Sequence, residues 1–253
     1  MAKLQALLFD VDGTLADTEK DGHRVAFNLA FDEAKLDWNW SEELYGKLLA
    51  VTGGKERIKF YLEKFNTEFQ KPADLDSFVK ELHAAKTKFY VQLMEQGKVP
   101  LRIGVENLIK EARAAGMRMA VVTTTTPANV TALLDSTLGK GSESWFEVIA
   151  AGDIVPAKKP ASDIYIWTLE QMNLKAEDTI AFEDSRNGIL SSAGANIKTI
   201  VTINDYTKND DFSDAVLLLN NMGSESKPFK VLAGNTFGES YLTLDLVTKI
   251  AES

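Results

Sequence analysis

Cysteine is missing from all 253 residues, so no disulfide framework and no thiolate metal site can form. That absence fits a reducing compartment, and a cytoplasmic location is expected. No apolar run approaches the roughly 18 residues that a membrane span requires, so no membrane partner is expected. The opening MAKLQALLFD has too short an apolar part and no small-residue cleavage site, which argues against a secretory signal. Basic residues are also short: 28 Lys and Arg stand against 37 Asp and Glu, a formal charge of -9. A phosphate-backbone binder carries a basic face, so nucleic acid is not expected as a partner. An anionic small substrate remains open, provided that cations or a metal are concentrated locally. Internal repeats and low-complexity tracts are missing too, and nothing points beyond a monomer.

What is present is an ordinary globular composition, 45% hydrophobic and 26% charged, on a chain long enough for a sizeable core. KLQALLFD reads as a buried strand. From about Glu19 to Gln96 the pattern turns helical, with apolar spacing of three and four over His23–Lys35, Glu42–Leu49, Lys55–Phe65 and Leu75–Met94. After Pro100, helix and strand alternate. GVENLIKEARAAG is a helix ending at Gly116, MRMAVVTTT a strand, and a further helix starts near Pro127. FEVIAAG, DTIAFED and NIKTIVTI read as strands, with SDIYIWTLEQM and RNGILSSAGA as helices between them. Alternation of this kind predicts a parallel α/β sheet. AVLLL and LTLDLVTKIAE suggest a last strand and a terminal helix. The fold expected is a Rossmann-like α/β core, residues 1–16 and 100–253, interrupted by an all-helical cap, residues 17–99.

Ligands of an open parallel sheet bind at the carboxyl ends of its strands. Those ends carry Asp10, the run Thr123 to Thr126, and Glu183-Asp184, while PAKKP supplies Lys158 and Lys159. Together they meet the needs of phosphoryl transfer. A carboxylate can attack phosphorus and form an aspartyl-phosphate. Anion meets anion in that step, so a hard cation such as Mg²⁺ must bridge them. A hydroxyl and a Lys can hold the transferring oxygens, and a second acid can protonate the leaving alkoxide and then activate water. Asp10 and Asp12 suit that division of labour, and Gly13 lets the backbone approach the phosphate.

FDVDGTLADTE, VVTTTT, AKKPASDIY and AFEDSRNGI resemble, in order, the four motifs of the haloacid dehalogenase superfamily. The insert resembles the small cap of the subgroup containing beta-phosphoglucomutase and phosphoglycolate phosphatase. This resemblance implies Asp10 as nucleophile and Asp12 as general acid/base, with Thr123 and Lys159 holding phosphate. It implies a Mg²⁺ site of the Asp10 carboxylate, the Asp12 main-chain carbonyl and Asp184, with Glu183 as a further ligand or a partner of one. DWNW and YGKLLAVTGGKERIKFYL are similar to the CbbY-like group of sugar-bisphosphate phosphatases. That likeness implies xylulose-1,5-bisphosphate, a by-product that inhibits Rubisco, as the small phosphorylated sugar substrate. A basic cap loop should grip its second phosphate: Gly53 and Gly54 precede a helix N-terminus, and Lys55 and Arg57 add charge. Glu19, His23 and Thr125 are further candidate substrate contacts. DTEKDGH carries one residue more than the family pattern.

Bland alternatives exist for each feature alone. Asp10 and Asp12 are common in a strand-end turn, Glu183-Asp184 at a helix start, and Lys55 and Arg57 on a solvated helix face. Lys158 is expected to be a solvated charge beside the catalytic Lys159, and Trp38, Trp40, Trp145 and Trp167 to pack in cores. A beta-phosphoglucomutase-like phosphomutase, a phosphoglycolate phosphatase and a non-catalytic phosphosugar sensor are the competing functions. An intact acid pair argues against the sensor, because a binder has no use for a proton carrier.

Overall fold

The computed structural model describes residues 3–253; residues 1 and 2, where the expected core begins, lie outside the described part. Within it, seven strands form one sheet: β1 (Ala6–Phe9), β2 (Arg118–Val122), β3 (Val148–Ala150), β4 (Thr179–Glu183), β5 (Lys198–Thr202), β6 (Leu217–Leu219) and β7 (Val231–Gly234). Their order is β3-β2-β1-β4-β5-β6-β7, parallel through β6, with β7 antiparallel at the edge. Every residue of β1 and β4 is buried, as a sheet covered on both faces requires. Strand order reverses between β1 and β4, which opens a crevice at their carboxyl ends.

After β1, and before the chain returns to the core near residue 100, come a π-helical turn (Glu19–His23) and four helices: α1 (Arg24–Glu33), α2 (Glu42–Leu48), α3 (Gly54–Lys64) and α4 (Leu75–Glu95). Aromatic residues give this insert its own core, in which Phe27, Phe31, Trp38, Trp40 and Tyr45 pack together. Ala26 on α1 and Tyr90 and Met94 on α4 instead join the main core beneath the sheet. The two linkers run side by side. Ala16 bridges Leu101, and the Arg102 amide donates to the Leu15 carbonyl at 2.8 Å. The remaining helices are α5 (Val105–Ala114), α6 (Pro127–Leu138), α7 (Asp163–Met172), α8 (Arg186–Gly194) and α9 (Leu244–Glu252). Proline at the first position and a Thr126 cap start α6, and the Ser185 hydroxyl caps α8 by accepting from the Gly188 amide.

The sheet and helical insert match the architecture expected, with elements a few residues shorter than the apolar runs suggested. Strand β7 was not anticipated. Its four residues are all exposed and its neighbourhood is rich in Gly and polar residues, so no alternation marks it. The π-helical turn was also unforeseen. Trp38 and Trp40 are buried in the insert, whereas Trp145 and Trp167 are only partly buried, Trp145 lying under the Arg113 guanidinium.

Gly104 opens α5 with φ +88°, and a Cβ there would lie 2.1 Å from the Gly223 carbonyl oxygen. Gly104→Ala combines a left-handed backbone with a backbone clash, and should cost roughly 1–3 kcal/mol. Denaturant unfolding checks this, and an unchanged midpoint would contradict it.

Candidate active site

Register brings the polar strand ends together. Phe9 pairs with Phe182 on β4 and with Val121 on β2, and the Phe9 and Phe182 rings stack at 4.7 Å. One residue further on, Asp10 donates its amide to the Phe182 carbonyl at 3.0 Å, beside Glu183. Asp10, Asp12, Thr123, Thr124, Lys159, Glu183 and Asp184 line one cavity of about 400 Å³. Leu49, Ala50, Thr52 and Arg57 of the insert form its other wall.

Lys159 is the buried cation on the core side of this cleft. Its ammonium donates to Asp10 Oδ1 at 2.8 Å, Glu183 Oε1 at 2.7 Å and the Val122 carbonyl at 2.8 Å. Burial pulls its pKa down, but the Asp10 and Glu183 carboxylates outweigh that and hold it above the usual lysine value. Burial pushes Asp10 up to about 7, against the opposing pull of Lys159. Asp184 is raised well above a normal carboxylate by burial and by Asp10 and Glu183. The Tyr165 hydroxyl donates to Glu183 Oε1 at 2.5 Å, while Glu183 Oε2 is buried with no hydrogen-bond partner among the described residues. Gly188 makes room for it, since a Cβ there would lie 1.8 Å from Oε2.

These residues fit Mg²⁺. Asp10, Glu183 and Asp184 each bring a carboxylate oxygen within 4.8 Å of the others, the donors are all hard oxygens, and one of the buried oxygens is unpartnered. The Asp12 carboxylate is not in that group. It accepts from Thr18 at 2.6 Å and lies 2.8 Å from His23 Nε2. Lys86 Nζ lies 2.7 Å from His23 Nδ1. An ammonium has no acceptor, so Nδ1 accepts from Lys86 and Nε2–H donates to Asp12. Although burial pushes the other way, His23, Thr18 and Lys86 lower Asp12 to about 2. Lys86 itself is lowered by burial to about 8. His23 closes the π-helical turn, and its ring lies directly behind Asp12.

Other candidate residues are distributed differently from expectation. Glu19 and Arg57 line the cleft, and Tyr45 joins them. Its hydroxyl donates to Glu19 at 2.5 Å and accepts from Arg57 Nη1 at 2.6 Å. His23 lies behind Asp12, and Thr125 Oγ1 accepts from Asn129 at 2.9 Å; neither lines the cleft. Gly53 and Gly54 stand beside it, where a Cβ would meet Glu56 and Lys158 or His83. Lys55 pairs with Asp153 across the seam between insert and core. Lys158 is not a solvated charge. Its side chain is 16% exposed and reaches Asp153 at 2.9 Å and Glu56 at 3.2 Å, because the insert packs down over the β3–α7 loop. Sequence reasoning missed Thr18, Tyr45, Lys86, Tyr165 and Asn204, whose roles depend on tertiary contacts that no local pattern announces.

Asp10 and Asp184 have raised folded-state pKa values, so at these two sites the native state binds more protons than the unfolded chain above about pH 4. Without metal, these groups therefore make stability fall as pH rises from about 4 to about 7. His83, lowered by burial to about 3, pulls the other way over the same range, so the measurement is the difference between melting curves in Mg²⁺ and in EDTA, which should grow toward the upper end. A Mg²⁺ effect equal at both ends would contradict the assignment of charge.

Comparison with known proteins agrees with this geometry. The haloacid dehalogenase-like hydrolase family matches residues 4–196. The protein CbbY of Rhodobacter capsulatus is 47% identical over 213 residues, covering 84% of this chain and 91% of that protein. A phosphorylated carbohydrates phosphatase of Thermotoga maritima is 25% identical over 78% of this chain and 84% of its own length. Crystal structures of CbbY from Rhodobacter sphaeroides, one in complex with phosphate and one of a mutant with xylulose-1,5-bisphosphate, superpose with TM-score 0.79 at 44% identity. Each covers 86% of this chain and 94% of its own. The chain belongs to the haloacid dehalogenase-like hydrolases and, among them, is a phosphatase of the CbbY type.

Proposed function

We propose that this cleft hydrolyses the phosphomonoester of a small sugar bisphosphate, xylulose-1,5-bisphosphate, through an aspartyl-phosphate on Asp10. The observation that carries this reading is one cavity with a cation at each wall: Lys159 bound to Asp10, and Arg57 with its buried Nε unpartnered among the described residues. Two phosphates need two such cations, particularly against a net charge of -9. The complex of a CbbY relative with xylulose-1,5-bisphosphate supports the same substrate.

Lys159 fixes Asp10 Oδ1 and orients the carboxylate for attack on phosphorus, while Thr123 holds a transferring oxygen. Bound at Asp10, Glu183 and Asp184, Mg²⁺ supplies charge neutralisation for the approach of carboxylate and phosphoryl group. Asp12 carries a proton to the leaving sugar oxygen and then takes one from water. The buried Lys86–His23 pair is its route for proton exchange, because Lys86 donates to His23 Nδ1 and His23 Nε2–H to Asp12 in one continuous chain. Glu19, Tyr45 and Arg57 meet the distal end of the substrate. Residues 17–99 act as a lid on the core formed by 1–16 and 100–253, opening for exchange and excluding bulk water when shut. Lys55, Glu56, Asp153 and Lys158 hold the shut state along the seam.

Phosphate release is to be measured with xylulose-1,5-bisphosphate, ribulose-1,5-bisphosphate, phosphoglycolate and glucose-1-phosphate, in Mg²⁺ and in EDTA. Turnover should favour the first, need Mg²⁺, and fall at least about a thousand-fold in Asp10→Asn. An isomeric sugar phosphate instead of free phosphate would indicate a mutase, and a preference for phosphoglycolate would remove the bisphosphate assignment. Arg57→Ala should raise KM about 10- to 100-fold more for a bisphosphate than for a monophosphate. Equal effects on both would mean that Arg57 does not grip the second phosphate.

A further inference from the structure

Beyond strand β5 the chain makes a tight turn, Asn204 to Thr207, that touches both halves of the molecule. The Asn204 side-chain oxygen accepts from the amides of Tyr206 at 2.9 Å and Thr207 at 3.2 Å. The Asn204 amide in turn donates to Thr207 Oγ1 at 3.1 Å. With its oxygen committed to two backbone donors, the carboxamide has one orientation left, and its Nδ2 donates to Asp184 Oδ2 at 2.6 Å. Gly13 packs against the same pair, since a Cβ there would lie 2.1 Å from Asp184 Oδ2 and 2.7 Å from Asn204 Nδ2. Asp184 is therefore held by a side chain that is itself locked by its own turn.

Two residues on, Tyr206 points the other way. Its ring edge would lie 3.2 Å from a Cβ at Gly46, and its centroid is 6.2 Å from that of Tyr45. Tyr206 thus packs on the apolar core of the insert, against the tyrosine that holds Glu19 and Arg57. A Cβ at position 46 would press the ring back by a few tenths of an ångström.

We propose that this turn couples closure of the helical insert to the carboxylate that would hold the metal: Asn204 positions Asp184, and Tyr206 receives the closed insert. The inference rests on the phosphatase reading above for the identity of the cation. Coupling of this kind is reciprocal, so a substrate that closes the insert tightens metal binding, and bound metal tightens substrate binding by the same factor.

Mn²⁺ binding followed by electron paramagnetic resonance tests the proposal without relying on turnover. Asn204→Ser keeps a hydroxyl that can cap the turn but does not reach Asp184, and should weaken Mn²⁺ about 10- to 100-fold in the ligand-free protein. Circular dichroism melting should show its fold intact, and Asn204→Ala serves as the second variant. Tyr206→Ala should leave ligand-free Mn²⁺ affinity within about twofold of the parent. Coupling is read in an Asp12→Ala background, where turnover is slowed, by adding xylulose-1,5-bisphosphate. The sugar should tighten Mn²⁺ binding when Tyr206 is present and leave it unchanged in Tyr206→Ala. Unaltered Mn²⁺ affinity in both folded Asn204 variants overturns the positioning role. Equal tightening with and without Tyr206, or none in either, overturns the coupling. Failure of the parent protein to bind Mn²⁺ at all would instead defeat the phosphatase reading on which the proposal rests.

Discussion

Lys159 brings one positive charge into a pocket that buries three carboxylates, those of Asp10, Glu183 and Asp184. If all were ionised, three acids against one ammonium would leave two negative charges uncompensated, and each buried unpaired ion costs several kcal/mol. Without a metal, protons absorb the excess, which is why Asp10 and Asp184 have raised pKa values. A divalent cation relieves the same imbalance and keeps the acids ionised. Much of the surrounding structure serves this charge balance. The register of β1 with β4 sets Asp10 beside Glu183, Tyr165 saturates one Glu183 oxygen, and Gly188 leaves space for the other.

Asp12 has the opposite electrostatic setting only two residues away. It faces His23, Thr18 and Lys86 rather than other acids, and its pKa is lowered where that of Asp10 is raised. Two carboxylates of one turn thus sit in divergent environments, Asp12 held ionised by its neighbours and Asp10 left to share protons with the acids around it. The divergence depends on the helical insert, because His23 and Lys86 both come from it.

The sequence made the sheet and the acid cleft legible for a physical reason. Strands buried on both faces must be continuous apolar runs, and the polar residues that end them stand out against that background. Asp10, Thr123 and Glu183-Asp184 were therefore visible, and Lys159 was separable from Lys158 by Pro160. Within the insert the signal was weaker. Lys55 and Arg57 share a helix turn and a charge, yet Arg57 reaches the cleft while Lys55 closes the seam on Asp153. No spacing rule distinguishes them, because the difference lies in how the insert lies on the core. Lys86 was hidden for a related reason: on a long amphipathic helix it looks like any solvent-facing lysine, and only burial beside His23 reveals it. Strand β7, exposed along its whole length, lacked the burial that makes strands readable.

Arg102 stands where the return linker re-enters the core. Its guanidinium donates to the carbonyls of Gly13, Thr202, Ile203 and Asn220 and pairs with Asp17 at 3.2 Å. Four carbonyls from the chain at or just beyond the ends of β1, β5 and β6 clamp one side chain that is itself nearly buried. This clamp acts as a fulcrum. Any rotation of the insert would have to pivot on the few bonds before residue 102 and after Ala16, with Gly97 at φ +65° at the far end of that stretch. On the proposed lid motion, a lever pivoted so close to Gly13 would sweep its tip, Thr52 to Arg57, through a far wider arc than Asp10 near its root. Access at the Arg57 wall could then widen while Lys159 keeps its hold on Asp10 at the other wall.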